Sequence, residues 1–389
     1  MIDPAMELAD WTRAVIERPD DDALRLVFAD WLEERGHHQH ARMVRSGCAL
    51  GRSPTWKPGW AEHWNEFREV SVSPKLPDGV AFHSFAFSRG FPQKLRIERL
   101  DALLANVETV FSAGPIDALH VDGRVSDATF AAFLALPQLA RIRKLVFSLG
   151  EMGPERVRLL DACPRLERLQ KIGFAFGAIT GEGLHAFVHS GLARRVRALG
   201  VTSCFHLERG APLVRAFSGA SLELSFLDLG GNGLDAEGLS AVLAAVPGVE
   251  HLSLRSNPLG AAGAEELARA PRRLQMLDLA GTGIRLAGVR ALVTSGSFAE
   301  LEALGLASNE LGPLTVKAFA AAQLPALQFL DLSSNKLDEA NLRALLQLPV
   351  VKRLLRADLR NLRGTPELQQ LLFQWYLRNP AQPGGSTQA

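Results

Sequence analysis

Cysteine is scarce. The chain has 3 in 389 residues, Cys48, Cys163 and Cys204. They are too few and too scattered for a disulfide framework, which points to a reducing compartment. Net charge is also missing: Lys and Arg number 43, Asp and Glu 42. No global field therefore recruits nucleic acid or a membrane surface. No apolar run reaches about 18 residues, so no membrane-spanning helix is expected. The first residues, MIDPAME, lack the basic and apolar regions of a secretory signal. Cytoplasm is the expected location. Catalytic signatures are lacking too: there is no G-x-S-x-G, no P-loop and no H-E-x-x-H. Cys163 precedes Pro164 with no evident His partner. The expectation is a non-enzyme without cofactor or metal.

What is present is repetition. Residues 327–337 read LQFLDLSSNKL, that is L-x-x-L-x-L-x-x-N-x-L. The phrase recurs from Leu224, Val249, Leu274 and Leu301. Weaker copies start at Ile116, Ile142, Leu169 and Val196, and a poor one at Val351. Helical segments such as 235–243 lie between, with Leu239, Val242 and Leu243 on one face. Self-similarity at this period means a solenoid.

These residues resemble leucine-rich repeats of the ribonuclease-inhibitor type, slightly shorter per unit. The resemblance implies an α/β leucine-rich-repeat solenoid, a horseshoe with a concave parallel β-sheet and convex helices, over residues 94–360. Parallel strands stack about 4.8 Å apart and the helices need more room, so such a sheet bends. Asn232, Asn257, Asn309 and Asn335 fill the motif's asparagine position. A buried amide there both donates and accepts, so it can bridge neighbouring turns. Thr282 and Cys204 are substitutes. Arg124, Gly150 and Gly177 are not, which leaves the geometry of the early turns open.

A small helical domain is expected before the array. Residues 5–50 show helical spacing, with an Asp of 20–22 capping a second helix that stops at Gly36. The run RPDDDALRLVFADWLEERG (18–36), with ARMVR (41–45), resembles the repeat-companion domain of myxobacterial and planctomycete repeat proteins. Phe28 and Trp31 are assigned to its core. Residues 51–93 form a junction in which Trp60, Trp64 and Phe67 share one helical face, read as the cap of the first repeat. Residues 361–378 are expected to be a C-terminal cap helix and 379–389 a disordered tail.

Side chains at the unspecified positions of each strand face outward. In the regular half they are Phe226, Asp228 and Gly230; His251, Ser253 and Arg255; Met276, Asp278 and Ala280; Ala303, Gly305 and Ala307; Phe329, Asp331 and Ser333. Apolar bulk beside charge is interface material. Asp in L-D-L is also common in this repeat type and need carry no message. A second candidate is a basic edge: Arg141, Arg168 and Arg195 precede successive anchors, with Arg143 and Arg197 nearby. Residues 141–200 hold 11 basic against 5 acidic residues. No aromatics interleave, which argues against nucleic acid; a merely solvated edge is the plainer reading. The third candidate, His37, His38 and His40 with Cys48, is read as a surface loop and not a metal site. The expected protein is a monomeric scaffold that binds a protein partner through its concave face. An enzyme regulator, such as a GTPase activator, rests on fold analogy alone.

Overall fold

The computed structural model describes residues 7–50, 75–82, 87–269 and 273–360. The expected C-terminal helix and tail, and the stripe of Trp60, Trp64 and Phe67, lie outside the described residues. The chain divides into two compact units, residues 1–150 with 162–169 and residues 151–161 with 170–389.

The first unit opens with helices α1 (Leu8–Glu17), α2 (Asp22–Glu34) and α3 (His38–Leu50). Asp21 caps α2, its carboxylate accepting the Leu24 N–H at 2.9 Å, a bond worth about 1 kcal/mol. The helix ends where Gly36 takes φ +80° and its N–H turns back to Glu33 O. Phe28 is the centre of the packing. Its ring lies 5.5 Å from Trp11, 5.9 Å from Trp31 and 5.1 Å from Phe91. Arg45 ties α3 to α2 through Asp30 (2.7 Å) and Glu33 (2.5 Å).

Phe91 comes from outside the helices. Strand β1 (Val80–Phe82) is followed by a hairpin of β2 (Phe87–Ser88) and β3 (Phe91–Pro92). At the hairpin bend Gly90 has φ +84°, and a Cβ there would meet Val44 of α3 at 2.2 Å. Only glycine lets the bend sit this close. The Gly90 carbonyl lies 2.9 Å from His40 Nε2, and Arg89 pairs with Asp22 at 2.8 Å. The helices therefore share their core with a segment about 40 residues downstream. Strands β4 (Lys94–Ile97), β5 (Ala118–Asp122) and β6 (Lys144–Ser148) run parallel, and β1 pairs antiparallel with β4.

The second unit is eight parallel strands in chain order: β7 (Lys171–Ala175), β8 (Ala198–Thr202), β9 (Phe226–Asp228), β10 (His251–Ser253), β11 (Met276–Asp278), β12 (Ala303–Gly305), β13 (Phe329–Asp331) and β14 (Arg356–Asp358). The motif leucines fill the core. Leu227, Leu252, Leu277, Leu304 and Leu330 occupy one register position and are all buried. Return helices start from side-chain caps: Thr180 on Gly183, Asp235 on Gly238, Asp338 on Asn341. The last repeat departs from expectation. Leu330 pairs with Ala357, so the anchor is Leu354, three residues after Val351. Leu354, Ala357 and Leu359 are buried in the leucine places.

The asparagines bridge rungs. Asn257 Nδ2 donates to Leu229 O (2.9 Å) and Leu254 O (2.8 Å), while Oδ1 accepts from Asn232 N (3.1 Å) and Leu234 N (2.9 Å). Asn232, Asn309 and Asn335 repeat the pattern. Thr282 Oγ1 donates to Leu279 O at 2.6 Å, and the Cys204 thiol approaches Phe174 O at 3.5 Å. The residue before each of these positions is left-handed throughout: Gly123, Leu149, Phe176, Ser203, Gly231, Ser256, Gly281, Ser308 and Ser334. In the second unit the N–H of Phe176, Ser203, Gly231, Ser256, Gly281, Ser308 and Ser334 donates to the next repeat. In the first unit Gly123 donates to Ser148 O. The turn is thus a backbone device, and it survives where Arg124, Gly150 or Gly177 replaces asparagine.

Candidate functional site

On the strand face of the second unit the outward residues fall into columns. Strand pairing aligns Ala198, Phe226, His251, Met276, Ala303, Phe329 and Arg356 in the first. Gly200, Asp228, Ser253, Asp278, Gly305, Asp331 and Asp358 form the second. Apart from His251 and Arg356 the first column is apolar; it is half-buried, except that Ala303 is covered and Arg356 is exposed. Lys171 Nζ stands 3.8 Å over the Phe226 ring, which lies 6.4 Å from His251. The Arg356 guanidinium lies 5.7 Å from Phe329. Cations thus flank both ends of the aromatic row, where each contact contributes about 0.5–1 kcal/mol at an exposed site.

The second column is acidic. Each carboxylate is oriented by its own strand: Oδ1 of Asp228, Asp278 and Asp331 accepts the N–H of Gly230, Ala280 and Ser333 at 3.0, 3.0 and 2.8 Å. This gives the L-D-L aspartate a structural task and leaves Oδ2 for other contacts. Burial pushes the Asp278 carboxyl above the usual range, and Asp228 and Asp331 push the same way; the Ala280 N–H and Arg255 oppose them. Arg255 is exposed, its side chain lying against Gly230. Gly305 leaves room for the Asp278 carboxylate: a Cβ there would stand 2.7 Å from Oδ1 and displace it.

The basic edge is not one solvated row. Arg141 turns inward: its guanidinium covers the Phe111 ring at 4.8 Å and donates to Phe111 O at 2.9 Å. Arg143 reaches Asp20, 123 residues earlier. Arg197 holds the Glu223 carboxylate at 3.0 Å and its carbonyl at 3.1 Å. Arg168 and Arg195 are exposed. In the first unit Arg168, Arg165, Arg141 and Glu167 line an open groove of about 590 Å³ between the turns at 137–141 and 164–166. The His tract is not a loop. It starts α3, and His40 is buried against Phe28 and Gly90. No group of three metal-ligating side chains occurs among the described residues.

One constellation escapes a sequence reading because its members lie in different repeats. In the first unit Ser148 Oγ and Asp122 Oδ1 approach His120 Nε2 at 2.5 and 3.1 Å, and Arg96 reaches Asp122 Oδ2 at 2.5 Å. A hydrolytic triad needs Ser and Asp on opposite ring nitrogens. Both use the same nitrogen here, so the cluster does not have the geometry of a triad. Its sequence signal was position: His120 and Asp122 are outward residues of a weak repeat. Nearby, burial lowers the affinity of the Lys94 and Lys144 amines for protons, and Lys94 adds to the effect at Lys144.

The family comparison agrees with the repeat geometry. The leucine-rich-repeat family model matches residues 224–243 and 249–268. No curated protein matches the chain. Among 87 matching chains of solved structures, one is a Bacteroides fragilis protein at 15% identity, covering 69% of this chain and 74% of that one, TM-score 0.41. Another belongs to the yeast Rad7 and Elc1 complex, at 13% identity, 94% and 96% coverage, TM-score 0.41. A third is an internalin from Listeria monocytogenes, at 14% identity, 67% and 70% coverage, TM-score 0.34. Residues 224–243 and 249–268 thus match the leucine-rich-repeat family, and the shared strand register and bridging asparagines give the described repeats a leucine-rich-repeat fold. Among the described residues no helix is long and apolar enough to cross a membrane.

Proposed function

We propose that this protein is a binding scaffold that receives a protein partner on the strand face of its second unit. One observation carries the reading. Half-buried Phe226, His251, Met276 and Phe329 stand in register beside aspartates already oriented by backbone N–H groups. Side chains held in place before binding lose little freedom on binding, so such a face has a low ordering cost. The basic edge is a weaker candidate, since Arg141, Arg143 and Arg197 already have partners within the protein. Helices α1 to α3, read as a companion domain, brace the first repeat.

The test is affinity capture from the native host with three baits: wild type, Phe226→Ala with Phe329→Ala, and Arg165→Glu with Arg168→Glu. Partners held by wild type and by the arginine variant, but lost from the phenylalanine variant at unchanged thermal stability, support the reading. Partners retained by the phenylalanine variant overturn it.

A further inference from the structure

We infer that the occupant of this face is an extended cationic segment of the partner, carrying Lys or Arg at every third residue with apolar side chains between. The inference rests on the strand-face reading and adds the partner's chemistry. Its first ground is charge. Outward positions of β9 to β13 carry Asp228, Asp278 and Asp331 against Arg255, and Glu250 and Glu302 stand just before β10 and β12. Among the described residues none of the three aspartates has an ion pair within the chain. The row stops at β14, where Arg360 holds Asp358 at 2.6 Å. Arg255 acts on Asp278 only through its field, so none of these three carboxylates is closed by a salt bridge among the described residues, whereas the fourth, Asp358, is satisfied internally.

The second ground is spacing. The three aspartates share one register position on alternate strands, separated by the short side chains of Ser253 and Gly305. At about 4.8 Å per strand the carboxylates recur roughly every 10 Å across the sheet. A chain in the polyproline II conformation advances about 3.1 Å per residue with three residues per turn, so every third side chain returns to one side after about 9 Å. A β-strand repeats a side after about 6.7 Å, which does not match. The parallel apolar column supplies the second set of contacts, with a dip at buried Ala303 between Met276 and Phe329.

The test uses fluorescence anisotropy of the full chain with three labelled peptides: four repeats of Lys-Pro-Leu, the same residues with all lysines at one end, and four repeats of Glu-Pro-Leu. The repeat peptide is expected to bind. The clustered peptide should bind at least tenfold more weakly, and the glutamate peptide not at all. Replacing Asp228, Asp278 and Asp331 with Asn keeps the acceptor for each backbone N–H and should cost at least tenfold with an unchanged circular dichroism spectrum. Equal binding of the clustered and repeat peptides overturns the inference, as does no binding of either. In the capture experiment, partners lost from the phenylalanine variant but kept by the triple Asn variant overturn the cationic occupant and leave the strand face standing. Partners indifferent to both variants overturn both. Concentration-dependent self-association of wild type, dissolved in the triple Asn variant, assigns the face to a second copy and also overturns the inference.

Discussion

Replacing Asn257 with Ala should cost about 3–7 kcal/mol, and the structure supplies the contributions. The side chain is 1% exposed, so water does not readily take its place. The backbone N–H groups of Asn232 and Leu234 lose their acceptor, and each buried orphan costs about 1–3 kcal/mol. Leu254 O loses its donor, a further loss near 1 kcal/mol. Leu229 O is affected less, because Asn232 Nδ2 still reaches it at 2.8 Å. That shared carbonyl couples neighbouring rungs. A double-mutant cycle of Asn232→Ala with Asn257→Ala should therefore depart from additivity by about 1 kcal/mol. Urea denaturation followed by circular dichroism gives both quantities. A loss below about 1 kcal/mol for Asn257→Ala would refute the accounting of orphaned groups. Strict additivity would refute the coupling.

Three further outcomes follow from other sites. Arg25 is fully buried, and among the described residues none of its guanidinium nitrogens has a hydrogen-bond partner; Arg25→Met should stabilise the protein by about 1–3 kcal/mol, and a fall in melting temperature would show that the charge is compensated. Because the folded Asp278 carboxyl titrates above its unfolded value, wild type loses stability relative to Asp278→Asn as pH rises through the folded pKa, and the two converge below the unfolded value of about 3.9. Denaturation curves between about pH 4 and pH 8 check this, and a gap that widens toward acid contradicts it. Phe176 is 61% exposed with φ +53°; Phe176→Gly should gain about 0.5–1 kcal/mol in chemical denaturation, and a loss would mean the ring makes contacts that outweigh the strain.

The repeat frame was legible because burial has a period. Leucines at every L-x-x-L-x-L place but Val249 declare the register from Leu224 to Leu332, and the amide of asparagine explains its own position. Registration slipped at the last repeat for a physical reason. Ala357 fills a leucine place, and a small buried residue leaves little signal in the sequence, so Val351 passed for the anchor. The outward residues were legible as a set, but their states were not. That Asp228 caps Gly230, or that Lys171 covers Phe226, depends on spacing across strands. The arginines failed as a row for the same reason. Arg143 finds its carboxylate in Asp20, and Arg141 finds a ring in Phe111, both remote in sequence. His40 looked like part of a polar tract because its carbonyl partner lies 50 residues away.

The loan of Phe91 to the helical core has a consequence during synthesis. Helices α1 to α3 can leave the ribosome complete and still lack the ring on which Phe28 packs, since that ring is about 40 residues further along the chain. At about 5–20 residues per second, the nascent helices wait some seconds before they can close. A deletion that ends at residue 50 removes three helices and also strips Phe91 and Gly90 of their cover. The portable cassette is therefore the helices together with the β2–β3 hairpin, and transplanting either part alone leaves an apolar surface exposed.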